Sequence, residues 1–227
     1  DAEVVQAGPM KAILILRGKF AELHDGLLGY QVHLTFYAGR KFVKSQIWLR
    51  NNGRHGYASR KKKWHPEWFA FDGLALELGL GLGEKITATC EGVSADNSQP
   101  FSVTQYVKPM LFHYEDFEYV VRRGGPAVPP PIKPRTRGEP GERKKDQADL
   151  KVGVRTDGTV QLAGPQGRLN VGLRYFWQNY EKAIELEEQT LRVWLWPRTG
   201  QWPRKHYDRN MPGYVAEQLG PLVQEDL

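Results

Sequence analysis

The chain has 227 residues, of which 40% are hydrophobic and 11% aromatic, and its formal net charge is +6. This composition excludes a disordered chain, and the length suits one large β domain or two small ones. No apolar run approaches the ~20 residues of a membrane-spanning helix, and the single cysteine, Cys90, excludes an intrachain disulfide framework.

Much of the positive charge is concentrated in two stretches, Arg60–Lys63 and Lys133–Lys145. Both have turn-like or linker-like compositions, for which a solvated loop is the simplest interpretation. The distribution therefore argues against nucleic acid as the partner. A surface that faces a polyanion is the alternative, and an acidic polysaccharide would serve as well as nucleic acid.

Alternation with a period of two residues runs through the first half of the chain. Met10–Phe20 is apolar on both faces, which predicts a central strand covered on both sides. Two further alternating runs flank the turn 38–40 and predict a β-hairpin. On this hairpin we expect Lys44 and Arg50 to be exposed. We expect five apolar side chains to be buried on a common face: Leu34, Phe36, Val43, Ile47 and Leu49.

Strand spacing continues from Leu74 to Leu82, where leucine occupies every second position. Further strands are predicted over Ile86–Glu91, Phe101–Val107 and Leu111–Tyr119. Prolines, glycines and charges then fill residues 122–149 and predict a loop or linker, which we expect to be most mobile over 124–147.

Strand patterns return after this linker. The runs Lys151–Arg155 and Thr159–Leu162 flank Asp157-Gly158, a dipeptide that predicts a hairpin turn between them. Alternating strands are also predicted over 169–175 and over Leu191–Trp196.

One short helix is predicted from about Phe176 to Glu185, because Phe176, Tyr180 and Ala183 would share one of its faces. About ten strands and this helix predict an all-β protein, most consistent with an antiparallel β-sandwich. The predicted organisation is a first part of the sandwich over 1–121, the linker over 122–149, completion of the sandwich over 150–197 and an irregular C-terminal connector over 198–227.

Two regions resemble a known family: the aromatic block with the strand after it, and the first hairpin. Residues 172–185 read GLRYFWQNYEKAIE, and LRVWLWP follows at 191–197. They resemble the Arg-x-Phe-Trp-Gln-x-x-Pro-Lys-Ala-Leu-Glu block and the next strand of the exo-rhamnogalacturonan lyase (YetA-like) family. The hairpin segments LTFYAG at 34–39, FV at 42–43 and LRN at 49–51 are similar to that family's hairpin. Glu181 stands where the family usually has proline.

The resemblance implies a central β-sandwich, similar to the supersandwich of galactose mutarotase-like proteins. Family members also have an N-terminal β domain and a C-terminal α/α toroid that forms much of the catalytic cleft. Since no series of amphipathic helices follows residue 197, we expect the toroid to be a missing partner and the isolated chain to lack lyase activity. The resemblance also favours a secreted or periplasmic location.

Elimination next to a uronate needs a cation that neutralises the carboxylate and a base that removes the C5 proton. The polar stretch 204–209 offers these residue types, and its candidates are Arg204, His206, Tyr207 and Arg209. Spacing imposes no geometry in an irregular segment, so a solvated connector is the favoured interpretation of this stretch.

Four tryptophans are candidates for stacking on sugar rings. Trp194 and Trp196 share one face of their predicted strand, where they either pack against a second layer or line a groove. Trp64 and Trp68 lie in a loop-like segment just after Lys61–Lys63, and aromatic planes beside cations suit an acidic sugar chain. Buried anchoring of that loop is an equally good interpretation.

Trp177 lies within the aromatic block, directly after an alternating strand. We expect it in the core, where Trp177→Ala would cost about 3–5 kcal/mol. The six histidines show no HxH or HxxxH spacing, and Walker and GxSxG motifs are absent. The sequence therefore predicts no metal site and no cofactor.

Three functional hypotheses follow. The first is a sandwich module of a polysaccharide-lyase-like protein that supports a catalytic domain or contacts acidic glycan. The second is a free-standing sugar-active enzyme with a mutarotase-like cleft. The third is a basic module that binds polyanions, which heparin or DNA binding at rising salt would test.

Overall fold

A computed structural model of the chain describes residues 1–21, 28–51, 73–107, 117–124, 147–179 and 181–197. These residues form fourteen β-strands and no helix, and the strands pair antiparallel. The chain divides into two compact units, Asp1–Phe71 and Asp72–Leu227. The predicted all-β class and the antiparallel sandwich are confirmed.

The first unit contains a four-stranded sheet in which each strand pairs with the next one along the chain. The predicted strand at Met10–Phe20 is β2, which lies between two partners in its sheet. The expected covering of both its faces was wrong, because Ile15 is buried whereas its other apolar residues are only half-buried. The strands are β1 (Ala2–Ala7), β2 (Lys11–Lys19), β3 (Leu28–Tyr37) and β4 (Val43–Asn51).

The predicted hairpin is the β3–β4 pair, in which Phe36 lies opposite Val43. Lys44 and Arg50 are exposed, as predicted. The expected burial was wrong for Phe36 and Val43, which are 41% and 51% exposed. The other three members of that face, at 34, 47 and 49, are half-buried. The described residues of this unit supply a single sheet, and none of them forms a second layer over the turn end of the hairpin.

The second unit contains a six-stranded and a four-stranded sheet. The six-stranded sheet has the order β10-β9-β8-β13-β14-β5, and the four-stranded sheet has the order β12-β11-β6-β7. The strands are β5 (Leu74–Gly79), β6 (Thr87–Cys90), β7 (Val93–Asp96), β8 (Phe101–Val107), β9 (Phe117–Arg123), β10 (Asp149–Gly153), β11 (Thr159–Gly164), β12 (Gly167–Gly172), β13 (Lys182–Glu187) and β14 (Thr190–Trp196).

A single hydrophobic cluster joins these two sheets and makes the unit a sandwich. Alternate residues of the six-stranded sheet enter it, including Val103, Val121 and Ile184, each at most 1% exposed. The four-stranded sheet contributes Val160 and Leu162 by the same period of two. The lone cysteine, Cys90, is also buried in this core, and burial raises the pKa of its thiol to about 12.

The short helix predicted over Phe176–Glu185 is wrong. Residues 174–179 form turns, and the chain then enters β13, which pairs with β8 on one side and β14 on the other. The helical spacing was coincidental, because two rows of backbone hydrogen bonds and burial of Ile184 and Leu186 favour the extended chain.

The hairpin predicted at Asp157-Gly158 is also wrong. β10 pairs with β9 in the larger sheet, whereas β11 pairs with β12 and β6 in the smaller one. The chain therefore crosses between sheets at this dipeptide. Gly158 has a φ of +69°, and its backbone lies against the ring of Phe176, which is 1% exposed.

A buried hydrogen-bond network holds the segment that makes this crossing. Gln105 Nε2 donates to the carbonyl oxygens of Glu118 and Val154, at 3.0 and 3.2 Å, and its Oε1 accepts from the Thr156 amide at 3.1 Å. The Thr156 hydroxyl then donates to Glu91 Oε1 at 2.6 Å. These bonds satisfy the buried polar groups of an irregular segment and fix its path.

Other expectations lie outside the described residues. These are the mobility of 124–147, apart from its ends, and the irregular character of 198–227. The domain boundaries predicted from sequence stay predictions.

We predict that Gly158→Ala lowers the free energy of unfolding by about 3 kcal/mol. A Cβ atom at this position would overlap the ring of Phe176, and the positive φ adds its own strain. Gly92→Ala is the matched control, because Gly92 has a φ of +78° with nothing within 4 Å of the added atom. Urea denaturation should give a loss of about 1 kcal/mol for the control; equal losses would contradict the packing argument.

Candidate functional site

The β13–β14 hairpin carries most of the chemically interesting side chains of the second unit. A two-residue turn, Glu188-Gln189, joins the strands, and Glu188 has a φ of +51°. Ile184 lies opposite Val193, and both enter the core. Because side chains alternate, the intervening residues project from the other face of the sheet, among them Glu185 and Trp194.

Trp194 and Trp196, the two described sugar-stacking candidates, have different environments. Trp194 is half-buried beside the small side chains of Ala183 and Ala75, and its Nε1 donates to Glu185 Oε2 at 2.8 Å. Its indole is thus held by its neighbours. Trp196 lies beyond a register shift in β14 and is 46% exposed.

Lys182 lies beside Trp196, with its Nζ 5.0 Å from the centre of the indole ring. The same Nζ donates to the carbonyl oxygens of Leu195, at 2.5 Å, and Glu181, at 3.3 Å. Burial lowers the pKa of Lys182 to about 8, and the Glu181 carboxylate opposes this shift. A cation and a half-exposed indole are therefore adjacent at the end of this hairpin.

Arg192, on the same face, is neutralised by its neighbours. Its Nε donates to Glu77 Oε1 at 2.8 Å, and its Nη1 donates to Glu187 Oε2 at 2.5 Å. The two carboxylates raise the pKa of the guanidinium above its ordinary value. This arginine stabilises the pairing of β5, β14 and β13 and has little capacity left for a ligand.

The turns at 174–179, here called the aromatic turn, were expected to place Trp177 in the core. That prediction is wrong, because Phe176 is 1% exposed and occupies the core position, whereas Trp177 is half-buried. The alternating strand predicted over 169–175 ends earlier, because β12 stops at Gly172 and Tyr175 lies in the turn with a φ of +57°. We therefore expect the large loss of stability on substitution by alanine at Phe176 and not at Trp177.

Trp177 packs against a surface arginine. Arg155 Cζ lies 4.3 Å from the centre of the Trp177 ring and 5.4 Å from that of Phe117, and the two rings meet edge to face at 5.6 Å. Arg155 is exposed. Its guanidinium therefore stays accessible while two aromatic rings lie beside it.

A second arginine stacks within the aromatic turn itself. Arg174 Cζ lies 4.5 Å from the centre of the Tyr175 ring, and its Nη2 donates to the Tyr175 hydroxyl at 2.6 Å. Tyr175 is 52% exposed. The amide of Asn179 donates to the Tyr175 carbonyl at 2.9 Å and closes the turn.

The structure describes only some of the site residues that were predicted from the sequence. Trp64, Trp68 and the four polar candidates lie outside the described residues: Arg204, His206, Tyr207 and Arg209. Sequence reasoning singled out Trp194 and Trp196 and missed the cations beside the aromatic rings.

Those cations are Lys182, Arg155 and Arg174. Arg174 and Tyr175 are adjacent in sequence, so this pair could have been identified from the sequence alone. Arg155 and Trp177 are 22 positions apart by number, so only the fold brings them together.

Within the described ranges, no group of three or more His, Cys, Asp or Glu residues is placed to hold a metal ion. None of the described residues form a helix that is long and apolar enough to cross a membrane.

Lys182 makes the stability of the fold depend on pH. Because its folded pKa is about 8 and its ordinary value is 10.5, the unfolded chain binds more protons between these values. The penalty for burying the charged amine is complete below pH 8 and disappears as the pH rises toward 10.5. We predict that wild type gains stability relative to Lys182→Met over this range.

Urea denaturation from pH 7 to pH 10 would measure this difference. Lys85→Met, at an exposed lysine, is the matched control and should follow the wild-type profile. A constant difference between wild type and Lys182→Met would contradict the assignment.

Comparisons with known proteins agree with the resemblance in sequence. Residues 142–221 match the family model of the PcRGLX-like protein central beta sandwich domain. The chain is also 22% identical to the uncharacterized protein YetA of Bacillus subtilis (strain 168), over 253 aligned positions. That alignment covers 92% of this chain and 27% of the relative. No solved structure is significantly similar to the chain. The two matches support a relationship to the rhamnogalacturonan-lyase-like family, with a β-sandwich domain of the PcRGLX-like kind.

Proposed function

We propose that this chain is a sandwich module that contacts acidic glycan within a polysaccharide-lyase-like protein. The observation that carries the proposal is the set of three cation–aromatic pairs in the second unit. They are Lys182 with Trp196, Arg155 with Trp177 and Arg174 with Tyr175. All six residues fall within the segment 142–221 that matches the PcRGLX-like central sandwich.

Charge supports an acidic partner. Arg122, Arg123 and Arg192 of the same unit each have a carboxylate neighbour. Arg155 and Arg174, in the part of the chain that the structure describes, contact aromatic rings and form no ion pair. Arg174 uses one N–H donor on the Tyr175 hydroxyl, and the remaining donors of both guanidinium groups can bind a carboxylate in a planar, bidentate manner.

The aromatic rings support a sugar as the bearer of that carboxylate. Half-exposed rings present flat apolar surfaces against which the C–H faces of a sugar can pack. Lys182 and Trp196 lie on paired strands, and side chains held by a sheet need little ordering when the ligand binds, which favours affinity. We also propose that the sandwich resembles the supersandwich of galactose mutarotase-like proteins and that it supports a separate catalytic domain.

Binding to rhamnogalacturonan tests the proposal. Retardation of the chain in gels that contain the polysaccharide should decrease with added salt, because surface charge is screened. We expect Trp196→Ala, like Arg174→Ala, to weaken binding about 10-fold, as is typical of truncated aromatic and arginine contacts.

Two control variants match these changes. Phe42→Ala removes an aromatic ring that is 57% exposed in the first unit. Arg168→Ala removes an exposed arginine of β12 that has no aromatic partner among the described residues. Both should retain wild-type binding. Equal retardation of all variants, or equal retardation by a neutral galactan, would refute the proposal.

A second candidate, a sugar-active enzyme, is favoured by one observation. The pKa of Lys182, at about 8, lies close to neutral pH, as a general base requires, and its amine adjoins a half-exposed indole. Ultraviolet absorbance of an unsaturated product would report lyase turnover. We expect none from the isolated chain; turnover lost in Lys182→Met and kept in Lys85→Met would establish the enzyme instead.

A further inference from the structure

At the end of the first unit's sheet that carries Arg50, one face is apolar and the other is polar; farther along the polar face lie Ile13 and Ile15. Directly paired residues project to the same side, so Leu16, Val32 and Ile47 form a row on the apolar face. The neighbouring row, displaced by one residue, lies on the opposite face and consists of Arg17, Gln31 and Trp48.

Trp48 has an aromatic neighbour on this polar face. The ring of His33 lies 4.1 Å from it, centre to centre. Both side chains are half-buried.

The next row on the polar face is Lys19, Gly29 and Arg50. Two cations therefore flank a glycine, which is buried and contributes no side chain. The gap that Gly29 leaves is part of a cavity of about 210 Å³, which Arg17, Lys19, Gln31 and Arg50 also line. Gly18 and Tyr30 complete its walls.

The charge of this cavity is strongly positive. Arg17 Nη1 donates to Glu3 Oε2 at 2.5 Å, so one of its three cations is neutralised. Lys19 and Arg50 form no ion pair within the described ranges of the chain. Two uncompensated cations on either side of the Gly29 backbone attract an anion, and because both are exposed, added salt screens this attraction.

The size of the cavity limits the ligand. Pockets for drug-sized molecules occupy roughly 300–1,000 Å³, so 210 Å³ suits a single small unit. Gln31 Nε2 is hydrogen-bonded to His33 Nε2, so Gln31 offers its carbonyl oxygen to hydroxyl groups, and Trp48 continues the row beside it. A flat ring next to an anion site fits a sugar that bears a carboxylate better than it fits a bare inorganic anion.

We propose that this cavity, here called the Gly29 cavity, binds the carboxylate-bearing unit of an acidic sugar. Lys19 and Arg50 hold the carboxylate above Gly29, and Gln31 and Trp48 contact the sugar ring. The choice of a sugar acid rests on the proposed function, whereas the anion site itself follows from the residues that line the cavity.

An NMR chemical-shift titration of the full 227-residue chain with D-galacturonate tests the proposal. We expect Arg50→Gln to weaken binding about 10-fold, because a charged hydrogen-bond partner of the carboxylate is lost. Lys44→Gln is the matched control: it removes a cation from the same strand and the same face, outside the cavity. It should change the affinity by less than about 2-fold.

Gly29→Ala tests the shape of the cavity without altering its charge. Its methyl group would project between Lys19 and Arg50 and occupy the place of the carboxylate, so we expect galacturonate binding to be lost. A Lys19→Gln variant gives an independent reading should Gly29→Ala fail to fold, and it is expected to weaken binding as Arg50→Gln does.

Comparison of ligands decides which part of the proposal holds. D-galactose, which has the same ring without the carboxylate, should not bind; equal binding of galactose would overturn the role of the cations. If inorganic phosphate binds as tightly as galacturonate, the proposal of a sugar ligand is wrong and the cavity is a simple anion site.

Galacturonate binding that survives Arg50→Gln and Gly29→Ala would overturn the site altogether. The proposed function would still stand if Trp196→Ala weakens polysaccharide binding as expected. The two proposals therefore fail separately.

Discussion

Strand β13 is the element on which the second unit depends. It is paired along its length with β8 and β14, and its four central residues, 183–186, are each at most 5% exposed. A strand buried on both faces has one acceptable register, because a shift of one residue would exchange Ile184 with Glu185 and bring a carboxylate into the core. This register places Lys182 next to Trp196, and it places Glu185 where it accepts the indole hydrogen bond of Trp194.

The aromatic turn reaches β13 from the smaller sheet and is anchored at one side chain. Phe176 fills the core against the bare backbone of Gly158, so Tyr175 and Trp177 on either side of it are directed outward. The left-handed conformation of Tyr175 is unfavourable for a bulky residue, and the packing of its neighbour stabilises it. Rigid attachment of exposed rings is what a binding surface for a stiff polymer requires.

The cations of the chain fall into two groups that differ in what surrounds them. Arg192 lies between two carboxylates and joins strands, so its charge is used within the fold. Arg155 and Arg174 lie beside aromatic rings, and Lys19 and Arg50 flank the Gly29 cavity. Both units thus present positive charge beside aromatic rings or a cavity, and the two proposals for an acidic sugar ligand rest on this arrangement.

Period-two alternation and turn composition determined the all-β class, the β3–β4 hairpin and the strands β8 and β14, because these depend on neighbours along the chain. The aromatic block also marked the region that matches a known family. Tertiary structure alone decided that Phe176, and not Trp177, is buried, that Asp157-Gly158 crosses between sheets, and that Arg155 meets its ring. These outcomes depend on long-range pairing and on packing between sheets. A local pattern does not contain that information, since a residue's spacing along the chain does not specify which distant backbone it will lie against.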